Sequence, residues 1–152
     1  MRYWLMKSEP DVYSIDHLKK DKTTPWEGVR NYQARNFMMN DMSVGDQVLF
    51  YHSNAEPSGV AGMATISKKA FPDKLQFDKK SEYFDPKATL EKPIWFCTEV
   101  KYSAHFKKFI SLEDLKNDPK CKNMLVIKKG QRLSIQPVDQ KDFEYLCKAG
   151  NV

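Results

Sequence analysis

The 152-residue sequence predicts an α+β fold in which a strongly curved or barrel-like mixed β-sheet is flanked by short helices. Three observations lead there. Several segments spread apolar side chains at the two-residue period of a strand. Other, short segments carry the three-to-four-residue apolar spacing of a helix and begin after Ser, Asn or Asp, which are good N-caps. The two kinds of segment do not alternate regularly, as stacked βαβ units would. At this length one domain spanning residues 1–152 can bury a real core.

Residues 2–7 read as a first strand, with Tyr3, Leu5 and Lys7 on one face and Trp4 and Met6 on the other. Apolar groups on both faces are expected of a central strand. Pro10 prevents its continuation. Ser14 caps a short helix, with Tyr13 and Leu18 placed to form a hydrophobic staple, and residues 21–25 read as a linker. After the stretch at 25–40 described below, residues 43–46 make a turn and residues 47–53 a strand. Residues 60–67 form another strand in which Val60, Gly62, Ala64 and Ile66 are expected to share a face, its small residues implying close approach by a neighbouring element.

Residues 68–93, with Pro72, Pro86 and Pro93, read as a long excursion held to the body by Phe77, Tyr83 and Phe84; a loop of that length is often functional. Residues 94–102 return to strand, with Trp95 on the face opposite Ile94 and Phe96. Ser111 caps a further helix in a Ser-x-x-Asp pattern with Asp114. Residues 119–130 are basic and irregular, with a helical turn near Met124. A last strand spans 131–136 and stops at Pro137, and Asp139 caps a terminal helix that ends at Gly150.

The stretch Trp26 to Asn36 organises the chain. Pro25 and Gly28 punctuate a turn, Asn31 caps a helix running to about Asn40, and Ala34, Phe37 and Met38 form its buried stripe. Trp26, Arg30, Asn31 and Tyr32 are left around the helix entrance. An aromatic plane, a guanidinium and a carboxamide beside free backbone N–H groups suit a planar, hydrogen-bonding ligand such as a base. The plainer reading makes Trp26 a core anchor and Arg30 a surface charge.

Composition narrows the function classes. No apolar run approaches the ~20 residues that span a bilayer, and the N-terminus lacks a secretory h-region, so no membrane partner is expected and the cytoplasm is the expected compartment, or the nucleus in a eukaryote. Cys97, Cys121 and Cys147 form no CxxC pair, and His17, His52 and His105 are isolated, so neither a disulfide framework nor a metal site is expected. The six glycines never approach a phosphate-loop spacing, no cofactor is implied, and no obligatory protein partner is evident.

The net charge is +5, and it is unevenly distributed. Residues 1–100 carry 14 basic and 14 acidic side chains, whereas residues 101–132 carry 9 basic against 3 acidic. Such a local excess suits a polyanionic partner.

Lys7-Ser8-Glu9-Pro10, the Trp26-x-Gly28-Val29-Arg30-Asn31-Tyr32-x-Ala34-Arg35-Asn36 stretch, Gly45-Asp46-x-Val48-x-Phe50-Tyr51-His52-Ser53, Phe71-Pro72-Asp73 and Gln131-Arg132-Leu133-Ser134 with Pro137-Val138 together resemble the EVE domain family over nearly the whole chain. Met39 departs from the family pattern, where a basic side chain is expected; the departure bears on one phosphate contact rather than on the pocket.

The resemblance implies a PUA-like fold, a curved mixed sheet or pseudo-barrel flanked by short helices, in a group that binds RNA or reads modified bases in RNA or DNA. It implies a non-catalytic nucleic-acid-binding module, a reader of a modified base such as a modified cytosine or adenine. The pocket would lie where Lys7-Ser8, the Trp26–Asn31 turn with Val29, and Tyr51-His52-Ser53 converge, closed by Gln131 and Arg132. Trp26 would supply a stacking face. Ser8, Asn31 and His52 would address the base edge, and Lys7, Arg30 and Arg132 would meet phosphate. Tyr83 and Asp85 are placed on the rim from the long excursion alone. Two other readings stay open: an enzyme acting on a nucleotide or modified nucleic acid with His52 and a nearby carboxylate as acid–base pair, and a small-molecule or protein-binding adaptor.

Overall fold

The computed structural model describes residues 1–152. Six strands form one mixed sheet in the order β2-β5-β4-β3-β1-β6, with β1 at Tyr3–Ser8, β2 at Thr23–Pro25, β3 at Gln47–His52, β4 at Gly59–Pro72, β5 at Phe96–Ser111 and β6 at Ile135–Val138. β1 and β3 run parallel, and every other neighbouring pair is antiparallel. The sheet is not closed, since β2 and β6 are its free edges. Four register shifts between β4 and β5 bend the two longest strands, because each unpaired residue increases local twist.

The alternation read in the first strand holds. Trp4 and Met6 of β1 and Val48 and Phe50 of β3 belong to one buried cluster, completed by Ile15 and Leu18 of helix α1 (Ile15–Asp21), Ala34 of α2 (Tyr32–Asn36) and Met38. Leu5 and Leu49 point the other way, into a second cluster with Leu115 of α3 (Leu112–Asn117) and Phe143 and Leu146 of α4 (Gln140–Ala149). The sheet is therefore buried on both faces.

The caps expected at the helix starts are largely present. Ser14 accepts from the His17 N–H while the His17 ring accepts from the Ser14 N–H. Asn31 accepts from the Ala34 N–H, and Ser111 and Asp114 form the reciprocal box. Asp139 occupies the N-cap position of α4 without a side-chain bond. In the turn before β3, Asp46 is buried and its carboxylate accepts from the Trp4 indole, Ser43 N–H and Arg2 N–H.

Several expectations are corrected. The supposed linker at 21–25 includes β2, an edge strand paired with Thr23 opposite Lys101. Helix α2 does not run on to residue 40 as an α-helix; it widens into a π-turn over Phe37–Asp41, with Phe37 and Met38 still packed on the core. Strand β4 runs to Pro72 and β5 to Ser111, well past residues 67 and 102. Val60 does not share a face with Ala64 and Ile66, because Ala61 is bulged between Val60 opposite Tyr51 and Gly62 opposite Phe50.

The basic segment holds two 3₁₀ turns, Pro119–Cys121 and Leu125–Ile127, on either side of Met124. The last strand starts later than residue 131 and runs through Pro137, which is tolerated because β6 is an edge. Gly150 has φ −82°, so it is not left-handed; a side chain there would meet the Phe106 ring at 2.4 Å.

The close approach inferred at Gly62 is present. A Cβ on Gly62 would lie 2.5 Å from the Ala104 carbonyl oxygen and 2.9 Å from Ile15 of α1. Gly62→Ala is expected to lower stability by about 1–3 kcal/mol through overpacking, seen as a lower urea midpoint with an unchanged slope.

Candidate functional site

The parallel pair β1/β3 ends at Ser8 and His52, which lie opposite each other in the register. Just beyond, the chain turns into α1 on one side and enters β6 on the other, with the Lys7 N–H bonded to the Ser134 carbonyl. Between these ends and the Trp26–Arg30 turn is a cleft of ≈ 500 Å³. Lys7, Ser8, Trp26, Val29, Arg30 and Tyr83 from the sequence-derived set line it, joined by Glu27, Tyr13, Leu75 and Ser134. A larger polar concavity of ≈ 660 Å³ beside α4 holds none of the residues expected around the pocket, though Lys120 and Lys122 of the basic segment line it.

The wall of the cleft is built by one carboxylate. Asp73 is 1% exposed; its Oδ2 accepts from the Gly28 N–H at 2.8 Å and from Arg30 Nη1 at 3.1 Å, and its Oδ1 accepts from the Leu75 N–H at 2.8 Å. Arg30 donates further to the Tyr83 carbonyl through Nε and Nη2 and to its own neighbour's carbonyl at Val29. Its guanidinium lies 5.4 Å from the Tyr83 ring and 5.2 Å from the Trp95 ring. Gly28 is left-handed at φ +86°, and a Cβ would touch the Tyr83 ring at 3.1 Å, so glycine satisfies both the turn and the contact. Arg30 is thus the brace that holds the 74–93 excursion against the turn. Four of its donor directions are filled within the chain.

Trp26 is 7% exposed and packs edge-to-face on Phe50 with centroids 5.5 Å apart, so most of the ring is core. Its polar edge is different. The indole N–H groups of Trp4 and Trp95 donate to Asp46 and Asp85, but that of Trp26 has no acceptor in the chain. No buried side-chain polar atom lacks a partner, so this N–H is in reach of solvent, on a residue that lines the cleft. Trp26 presents an edge with a donor, where an open stacking face was expected. Next to it, Glu27 lines the cleft and joins none of the chain's ion pairs. Burial holds its carboxyl above the usual range, reinforced by Asp73 and opposed by Lys74 and Arg30. Burial also lowers the Lys7 ammonium, which sits 5.9 Å over the Tyr51 ring.

The remaining sequence-derived residues have other surroundings. Tyr51 is buried in the second cluster on the opposite face of the sheet. His52 accepts the Ile15 N–H on Nε2 at 3.1 Å, which requires a lone pair there and puts the neutral ring's proton on Nδ1. Ser53 donates its N–H to the Ser8 carbonyl. Asn31 spends its carbonyl oxygen on the helix cap. Asp85 accepts from Trp95 and Lys87, and Gln131 accepts the Leu133 N–H. Arg132 is exposed, two residues before the lining residue Ser134.

Sequence reasoning missed Asp73 and Gln76 as builders of the site. Gln76 is fully buried; its amide donates to the carbonyls of Asp73 and Trp95 and accepts from the N–H groups of Ile94 and Trp95. Asp73 stands in the Phe71-Pro72-Asp73 motif and before a turn, but neither assigns it a role in the site. A buried glutamine leaves no pattern. No group of three or more His, Cys, Asp or Glu side chains is arranged to hold a metal ion. The three cysteines are free, with burial pushing the Cys97 thiol up to about 12. No helix is long and apolar enough to cross a membrane.

Known proteins match the chain along nearly its whole length. A family model described as EVE domain matches residues 2–149. Human thymocyte nuclear protein 1 is 40% identical over 163 residues, covering 95% of this chain and 72% of that protein. The solved structure of a hypothetical protein from Leishmania major superposes with a TM-score of 0.93 at 47% identity, covering 99% of this chain and 95% of its own. Human THYN1 protein in complex with 5-methylcytosine containing DNA superposes with a TM-score of 0.90 at 39% identity, covering 100% of this chain and 99% of its own.

Two outcomes follow from the geometry. Asp73→Ala strands Arg30 and the Gly28 N–H without their acceptor and is expected to cost on the order of 3 kcal/mol in denaturant unfolding. Burial lowers the His52 pKa, with His105 adding to and Asp16 opposing the shift. Its contribution to stability is therefore complete above the unfolded value of about 6.5 and falls as pH drops from there through the folded value. Urea midpoints measured from pH 8 to 5 should decline more steeply for the wild type than for His52→Gln.

Proposed function

The chain belongs to the EVE domain family, and on that premise we propose that it is a nucleic-acid-binding module whose cleft at the end of β1 reads a modified base. The ligand we favour is a 5-methylcytosine in DNA, the chemistry held by the human relative. The observation that carries this reading is that Trp26 and Glu27, consecutive residues lining the cleft, have an indole N–H and a carboxylate with no partner in the chain. Cytosine offers acceptors at O2 and N3 beside a donor at the N4 amino group, the complement of that pair. Thymine and uracil carry an acceptor at O4 and would face Glu27 unfavourably.

The base must leave the stack to be read on this edge, and a cleft at a strand end suits an extruded nucleotide. Tyr83, backed by Arg30 and Gly28, supplies the ring for stacking. Val29 and Leu75 line the cleft as apolar walls for a methyl group. Burying one methyl there contributes about 0.8 kcal/mol, a few-fold preference, so most selectivity comes from the edge. The nine basic side chains of residues 101–132 are all exposed and would add salt-dependent affinity without sequence preference. His52 is engaged at the α1 N-terminus, which favours binding over acid–base chemistry.

The reading is tested by fluorescence anisotropy on oligonucleotides that differ at one central base. Wild type is expected to prefer 5-methylcytosine and cytosine to thymine. Glu27→Gln should erode that preference by about 1–3 kcal/mol, by weakening cytosine binding and relieving the repulsion of thymine O4. Equal affinities of the wild type for all three bases would overturn the proposal. Mass spectrometry of the DNA after incubation should find it unaltered, and a changed mass would make the protein an enzyme instead.

A further inference from the structure

Outside the cleft, one aromatic side chain stands apart from the rest. Tyr32 opens α2 and is 58% exposed, yet its ring is not loose. It lies nearly parallel to Trp95, with centroids 4.8 Å apart and planes at 24°, and the Arg35 guanidinium sits 4.7 Å from its centroid. Both supports are themselves fixed. Trp95 is 5% exposed and its N–H is held by Asp85; Arg35 donates to the Ile94 carbonyl and to Asn36.

The same Trp95 ring faces Arg30 at 5.2 Å, and Arg30 faces Tyr83 at 5.4 Å. Tyr32, Trp95, Arg30 and Tyr83 therefore form a continuous row of flat groups in steps of about 5 Å. One end of the row is the wall of the cleft and the other is an open tyrosine ring with a guanidinium beside it. A pre-ordered ring loses little freedom when a second flat group settles on it, and stacking on an aromatic is available to every base.

We propose that Tyr32, flanked by Arg35, is a second stacking site, taking a nucleobase a few positions along the strand from the one in the cleft. The strand there would be unpaired or distorted, since only an unstacked base can lie on the ring. The proposal rests on the reading of the cleft as a base site. Its signature is different, because a platform of this kind is indifferent to which base lies on it. The cleft sets selectivity and Tyr32 sets affinity.

The test uses the full chain and a fluorescent single-stranded 15-mer with a central 5-methylcytosine, together with versions carrying abasic sites on one or the other flank. Tyr32→Ala is expected to weaken binding of the intact strand about five- to hundredfold, with the 5-methylcytosine-to-thymine ratio unchanged. Tyr32→Phe should bind as the wild type does. An abasic flank on the side that reaches Tyr32 should weaken the wild type to a similar degree and remove any further effect of Tyr32→Ala.

Wild-type affinity in Tyr32→Ala, with an unchanged thermal midpoint, overturns the proposal. So does a loss of the same size on every abasic strand, which would mark a structural effect. A cleft misread as a base site appears separately, as absence of base preference in the wild type.

Discussion

The Asp73 carboxylate is the interaction on which the site depends. It is withdrawn from water almost completely, and three N–H donors converge on it, one from the glycine turn, one from Arg30 and one from Leu75 just after it. A buried carboxylate that loses a donor is strongly penalised, so the three elements are held at fixed separations. That constraint places Tyr83 over Gly28 and makes the cleft a built cavity with a defined wall.

The sheet supplies the other half of the frame. Because β1 and β3 alternate strictly between two apolar clusters, their register cannot slip by one residue without turning every core side chain outward. Their C-terminal ends are consequently fixed, and the backbone at Ser8 and Ser53 is bonded across them. The cleft forms at the one place where two parallel strands stop together. The excursion between β4 and β5, which carries Asp73, Gln76, Tyr83 and Asp85, then closes over it.

Local rules made much of this legible in the sequence. The two-faced first strand, the N-caps at Ser14, Asn31 and Ser111, and the close approach at Gly62 all follow from contacts within a few residues or from one missing side chain. What was not legible depends on partners far along the chain. Nothing near Ala61 announces a bulge, because the extra residue is defined by its partners on β3 and β5. Arg30 reads as a phosphate ligand or a surface charge until the excursion folds back and fills its donors from Asp73 and Tyr83, more than 40 residues away. Trp26 looked like a stacking face or a core anchor, and it is a core anchor with one polar edge left over. Of the residues expected around the pocket, Ser8, Trp26, Val29, Arg30 and Tyr83 converge with Lys7 on the cleft, whereas Tyr51, with the Lys7 ammonium over its ring, belongs to the other side of the sheet by simple alternation.

The free margins of the sheet have a consequence for how the chain behaves in company. Its two longest strands lie in the interior of the sheet, and the margins are left to β2 and β6, three and four residues long. Each contains a proline, Pro25 and Pro137, which offers no N–H to an incoming backbone. A neighbouring molecule seeking to add a strand to β2 or β6 meets a short, interrupted rim. Strand addition at β2 and β6, the usual route by which crowded sheet proteins zipper into fibres, is thereby disfavoured.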